Sequence, residues 1–127
     1  MKHKSDLAQG WLSKGDSDLI NAKRTVGSDG PYDTGCFHAQ QAAEKYLKAI
    51  LAIHGMDIPR THDLEELQLL CAEFVLDEDF SSLTLEELSD YAVSVSYDFE
   101  FWSDIKTATD ALEIAEAVRA FAVKVIL

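Results

Sequence analysis

The stretch from Asp33 to His54 constrains the fold more than any other part of the chain. Cys36, Ala39, Ala43, Tyr46, Leu47, Ile50 and Leu51 recur at helical spacing and form one apolar face. Ala42, Ala49 and Ala52 fall on other faces of the same helix. A helix that is apolar on more than one side needs neighbours on more than one side, so this one reads as a member of a packed bundle. Gly55 stops it, and Ile58-Pro59 sets an extended link.

The rest of the chain supplies the neighbours. Ser5 to Val26 reads as a helix, with Ser5 as its cap, Asp6 in its first turn and an apolar face of Leu7, Trp11, Leu19, Ala22 and Val26. Gly27-Ser28-Asp29-Gly30-Pro31 is a break. Asp63 with Glu66 has capping-box spacing and opens a third helix whose face is Leu64, Leu67, Leu70, Cys71 and Phe74. Asp77 to Ser82 reads as a solvated polar loop. Thr84 with Glu87 opens a fourth helix carrying Leu85, Leu88, Tyr91, Ala92 and Val95. Val93 to Phe101 alternates like a strand, but a single strand has no partner here. The expectation is a helix ending near Val95, then an extended aromatic link to Trp102. A last helix starts at Ser103-Asp104 and carries Ala108, Ala111, Leu112, Ala115, Val118, Ala122 and Val125. Five helices with short links predict one all-α domain over residues 1–127, an up-and-down helical bundle.

Composition narrows the class. With 47% apolar and 27% charged residues in 127, the chain can bury a core and is not a disordered segment. The net charge of −12 excludes bulk DNA binding, which needs a basic surface. Cys36 and Cys71 are too few for a disulfide scaffold and read as buried free thiols. No apolar run is long enough for a membrane span, and MKHKSDLAQG lacks the apolar core of a signal peptide, so the expected compartment is the cytoplasm.

Motifs for catalysis and cofactors are missing from the sequence: there is no P-loop, G-x-G-x-x-G, C-x-x-C or H-E-x-x-H. His3, His38, His54 and His62 do not share ligand spacing, so no metal and no cofactor are expected. The informative feature is a charge contrast. Asp63 to Glu116 holds sixteen acidic residues against Lys106 alone, whereas Cys36 to His62 is net +1. His38, Gln41, Lys45 and Lys48 share one stripe of the second helix, opposite its main apolar face, and Arg60 and His62 follow shortly after. Such a group suits a phosphate or an acidic partner. The plainer reading is a solvated helix face with surface lysines. Tyr97, Phe99, Phe101 and Trp102 belong either to the bundle core or to a dimer or partner interface.

CFHAQQAAEKYLKA (Cys36 to Ala49) followed by PRTHDL (Pro59 to Leu64) resembles the HEPN domain family, named for "higher eukaryotes and prokaryotes nucleotide-binding". Trp11 to Lys14, with Asp18, Leu19 and Ala22, resembles that family's first helix. The resemblance runs from about Leu7 to Val125. It implies a bundle of four long helices with a short fifth, frequent homodimers, and a minimal nucleotidyltransferase partner in toxin–antitoxin-like pairs. It also implies nucleotide binding in some members and metal-independent ribonuclease activity in others. The ribonucleases carry Arg, four to six residues, then His. After Arg24 the positions are Asp29, Gly30 and Pro31; after Arg60, Glu65, Glu66 and Leu67; after Arg119, Lys124, Val125 and Ile126. None is His, and Ser96-Tyr97-Asp98 stands where relatives have Arg-Tyr-Pro. That reaction needs a His to move protons and an Arg to stabilise phosphorane charge. The expected function is therefore a homodimeric binding subunit for a nucleotidyltransferase, or for a nucleotide held by Lys45, Lys48, Arg60, His62, His38 and Gln41, with no catalytic residues assigned. The alternatives are a ribonuclease with a non-standard site built on His38 or His62, and a purely structural dimerising module.

Overall fold

The computed structural model describes residues 3–88 and 103–127. The helices with described bounds are, in chain order, α1 (Lys4–Val26), α2 (Tyr32–Ile53), α3 (Leu64–Ala72), α4 (Glu78–Ser81) and α5 (Ile105–Ile126). No strand occurs among the described residues. The fold is the all-α helical bundle that the periodicity predicts. The fourth helix read from Leu85 is helical at 86–88. Its remainder, the aromatic link from Tyr97 to Trp102 and the Ser96-Tyr97-Asp98 stretch all lie outside the described residues.

Helix α2 is the central element, packed on α1, α5 and α3. Helix α1 runs antiparallel to it, with Lys4 beside Gly55 and Thr25 beside Gly35. Helix α5 runs parallel to it: the Asp33 carboxylate accepts a hydrogen bond from the Ser103 backbone N–H at 2.7 Å, and Ala108 lies beside Gly35. Fourteen of the 22 residues of α2 are buried, which leaves only a narrow edge to solvent. Ala39, Ala42, Ala43 and Ala49 are fully buried, and their small side chains let several helices approach at once. The alanine faces of α2 are therefore covered within one copy of the chain, while Phe37 stays exposed.

Local signals place the ends. Asp63 caps α3, its carboxylate accepting from the Glu65 and Glu66 backbone N–H groups at 3.0 and 3.2 Å. Asp104 caps α5 by accepting from Thr107 N–H at 2.8 Å. Gly55, at φ +73°, ends α2 in the left-handed conformation that glycine adopts without strain. Two expectations need correction. The α1 cap is His3, which makes no side-chain hydrogen bond there, and Ser5 lies inside the first turn. The segment Asp77 to Ser82 is a helical turn and not a loop: Phe80 is fully buried, its ring edge-on to Phe121 at 5.3 Å. One aromatic side chain, burying roughly 2–3 kcal/mol of apolar surface, outweighs its charged neighbours, which stay on the wet side. The Gln68 amide donates to the Phe80 and Leu83 carbonyls at 3.0 and 2.9 Å, satisfying backbone groups around this turn.

Cys36 and Cys71 are free and buried, as the sequence suggests. Burial pushes the Cys71 thiol up to about 12, and its Sγ–H donates to the Leu47 carbonyl at 3.2 Å. Among the described residues no helix is long and apolar enough to cross a membrane.

Candidate functional site: a charge-paired edge of the central helix

The stripe predicted from His38, Gln41, Lys45 and Lys48 follows the edge of α2 that borders α1. Its character differs from the expected open basic face. Asp18, on α1, sits in the 15-18-19-22 buried spacing and reaches this edge. One carboxylate oxygen of Asp18 lies 2.9 Å from His38 Nδ1, and the other accepts from Lys45 Nζ. A turn further along, Glu44 is buried on α2 itself. One of its oxygens lies 2.9 Å from His62 Nδ1, and the other accepts from Lys48 Nζ at 3.3 Å. Lys48 is buried as well, with its ammonium 5.5 Å from the centre of the Trp11 ring. Gln41 donates to the Gln40 side-chain oxygen at 2.9 Å.

Two carboxylates thus gather four of the six expected site residues, His38 and Lys45 on Asp18, and Lys48 and His62 on Glu44. Gln41 engages only Gln40 among the described residues. Arg60 is exposed and makes no ion pair or hydrogen bond among the described residues, so pairing with Asp63 or Glu66 does not occur there. The side chain of His62 is 79% exposed although its Nδ1 is held by buried Glu44. The reason for the difference is packing. A stripe opposite the main apolar face of an isolated helix points to water, but α1 closes over that side and brings its own acid. The sequence names Asp18 only within the resemblance of the first helix and assigns neither Asp18 nor Glu44 to the site. The signal that could have found them was a carboxylate sitting at apolar spacing in each helix.

A second polar cluster joins three helices. The Tyr46 hydroxyl donates to Asp16 Oδ1 at 2.6 Å, and Arg119 Nε donates to the same oxygen at 2.8 Å. Burial raises the Asp16 pKa, but the hydrogen bonds from Arg119 and Tyr46 outweigh it and hold this carboxyl below its ordinary 3.8. Burial, reinforced by Asp16, pushes the Tyr46 phenol well above its ordinary 10. The Asp16 hydrogen bond raises Arg119 further. A groove of about 400 Å³ opens beside this cluster, lined by Leu19, Ile20, Lys23 and Glu116 with the two charged partners. Because the folded pKa of Asp16 is depressed, its stabilisation is present above pH 3.8 and is lost as pH falls through the lower, folded value. In urea titrations, Asp16→Asn is expected to lower the midpoint at pH 6, with the difference from wild type shrinking as the pH falls below 3.8. Parallel curves at all pH values would assign the linkage to other carboxylates.

Among the described residues no group of three or more His, Cys, Asp or Glu side chains could hold a metal ion. The paired edge offers hydrogen bonding and buried charge; its cations are already balanced by carboxylates.

One central helix, carboxylate-paired cations along one of its edges and a short α3–α4 unit define an all-helical bundle domain. The HEPN domain model matches residues 8–126, and the chain belongs to the HEPN domain family. Among solved structures, TT1696 from Thermus thermophilus is similar, with a TM-score of 0.78 and 27% identity over 92% of this chain and 96% of that one. ST0689, an archaeal HEPN homologue, has a TM-score of 0.66 over the whole of both chains; at 24% identity this is a likeness of fold. No curated protein matches the chain.

Proposed function

We propose that this HEPN domain is a homodimeric binding subunit that serves a minimal nucleotidyltransferase partner and is not itself a nuclease. Membership of the HEPN family supports the homodimer and the partner, and the engagement of the edge lysines by carboxylates supports the absence of nuclease activity. A phosphodiester-cleaving site needs a histidine free to take a proton and a cation free to meet the developing charge. Lys45 is engaged by Asp18 and Lys48 by Glu44, so neither lysine of this edge is free to meet that charge, and no arginine has a histidine at the ribonuclease spacing. Incubation with structured and single-stranded RNA is expected to give no cleavage beyond a His38→Ala/His62→Ala control. Co-expression with a minimal nucleotidyltransferase from the same genome is the decisive experiment. A complex of defined stoichiometry by light scattering supports the reading; separate elution at tens of micromolar sinks it.

Nucleotide binding is a second reading, favoured by one observation. Arg60 is an exposed cation with no partner among the described residues, two positions from a histidine whose Nδ1 is oriented by a buried carboxylate. An Arg can grip a phosphate with two hydrogen bonds. Losing such a contact costs on the order of 1.5–3 kcal/mol, so Arg60→Ala is expected to weaken nucleotide binding roughly ten- to a hundredfold. Its melting temperature should match wild type, since no structural pairing is lost. Unchanged affinity in calorimetric titration would remove Arg60 from any site.

A further inference from the structure

The outward face of α1 carries a feature that packing within one chain does not explain. Three glycines lie inside helices at positions where alanine would be the better helix former: Gly10, Gly15 and Gly35. Gly15 is required by a close neighbour, and Gly35 is tightly packed. A Cβ at Gly15 would lie 2.6 Å from the Tyr46 ring, and one at Gly35 would lie 3.3 Å from Thr25. A Cβ at Gly10 would meet nothing within 4 Å. Around Gly10 is a shallow cavity of about 270 Å³ lined by Asp6, Leu7, Trp11 and Lys14. Leu7 is 45% exposed, and Trp11 is only partly buried.

The charges on this face are placed symmetrically. Asp6 lies four residues before Gly10 and Lys14 four residues after it, and neither has an ion-pair partner among the described residues. If two α1 helices cross antiparallel about a twofold axis at Gly10, Asp6 of each copy comes opposite Lys14 of the other. The missing Cβ lets the two backbones approach closely, and Leu7 and Trp11 of both copies flank the crossing. Net charge favours this face over the acidic faces of α3, α4 and α5. A chain of −12 associating with itself must avoid setting acid against acid. Leu69 stands near Glu65 and Glu66, Leu76 near Glu78 and Asp79, and the outward face of α5 carries Glu113 and Glu116; Ile20, Phe37, Met56 and Ile105 are exposed as well, but among the described residues none of them flanks a glycine with open space above it. The stretch around Gly10 is locally neutral and lies beside the charge-paired edge of α2.

We infer that the Asp6–Gly10–Lys14 face of α1 is the homodimer interface, with a second copy of this chain as its occupant. This inference deepens the homodimer part of the reading above and rests on it. Wild type should sediment as a dimer with a dissociation constant at or below roughly 10 μM in moderate salt. Gly10→Leu puts a side chain on the axis, and Asp6→Lys sets like charges opposite Lys14 of the second copy. Each should raise that constant by about tenfold or more, and Asp6→Lys/Lys14→Asp should return it to within about threefold of wild type. Should Gly10→Leu lose helix content by circular dichroism, the charge-swap series decides alone. Zero-length carbodiimide cross-linking adds an independent readout. Eight residues of helix separate Asp6 from Lys14 by about 12 Å, too far to join within one copy, so an Asp6–Lys14 cross-link by mass spectrometry reports two copies. A dimer indifferent to the charge swaps and lacking that cross-link overturns the interface and leaves the homodimer standing. A wild type that is monomeric at about 100 μM overturns both.

Discussion

Glu44→Leu is expected to cost about 3–5 kcal/mol and to bring the domain close to its unfolding threshold. Glu44 and Lys48 have side chains only 5% and 7% exposed, and Lys48 has no other carboxylate partner among the described residues. Removing the acid leaves an ammonium in the interior with the Trp11 ring as its remaining support. His62 would lose an orienting contact but stays in water, so its share of the cost is small. The pair itself contributes much less than the penalty for breaking it, because both charges were taken out of water to form it. Glu44→Leu/Lys48→Met is therefore expected to recover most of the loss and even to match wild type. Urea unfolding of the two single variants and the double variant separates these effects. A loss under about 1 kcal/mol in Glu44→Leu would mean that Lys48 reaches water in solution.

Gly15→Ala should destabilise the protein although alanine is the better helix former. The new Cβ would lie 2.6, 2.8 and 3.1 Å from three ring atoms of Tyr46. That ring is fully buried, and its hydroxyl is tied to Asp16 at 2.6 Å, so it has no free direction in which to retreat. Overpacking of this kind costs about 1–3 kcal/mol, and a displaced ring loses the Asp16 hydrogen bond, worth roughly another 1 kcal/mol. Against this stands about 1 kcal/mol of helix propensity. The expected balance is a loss of about 1–3 kcal/mol, seen as a melting temperature lower by about 4 °C for each kcal/mol. A variant that melts at or above wild type would show that the α1–α2 interface has room at this point. Gly15→Leu should fail to fold.

The elements were legible because each rests on local chemistry. The period of Cys36 to Leu51, the Asp63 and Asp104 caps and the Gly55 stop all act within a few residues of where they stand. The candidate site was legible only in its residue types. His38, Lys45, Lys48 and His62 do come to one edge of α2, but the sequence reading took them as free cations. The acids that bind them were hidden for different reasons. Asp18 is twenty residues from His38, so their meeting depends on how α1 crosses α2. Glu44 is four residues from Lys48, yet what gives that pair its weight is burial, which spacing does not report. Asp77 to Ser82 failed in the opposite direction: counting charges hid the one ring that docks the turn.

By itself, the sequence determined that this protein is an all-helical bundle built around the segment from Asp33 to His54, and that its arginines lack the ribonuclease spacing. Both follow from periodicity and spacing, which are properties of the chain before it folds. Only the tertiary structure decided the state of the charges. Whether a lysine is a free cation or half of a buried pair depends on which carboxylate a neighbouring helix brings within hydrogen-bonding reach and how much water that helix excludes. Those quantities exist only after α1, α2 and α5 have closed on one another, since the energy of a charge is set by the dielectric and partners around it rather than by its place in the chain.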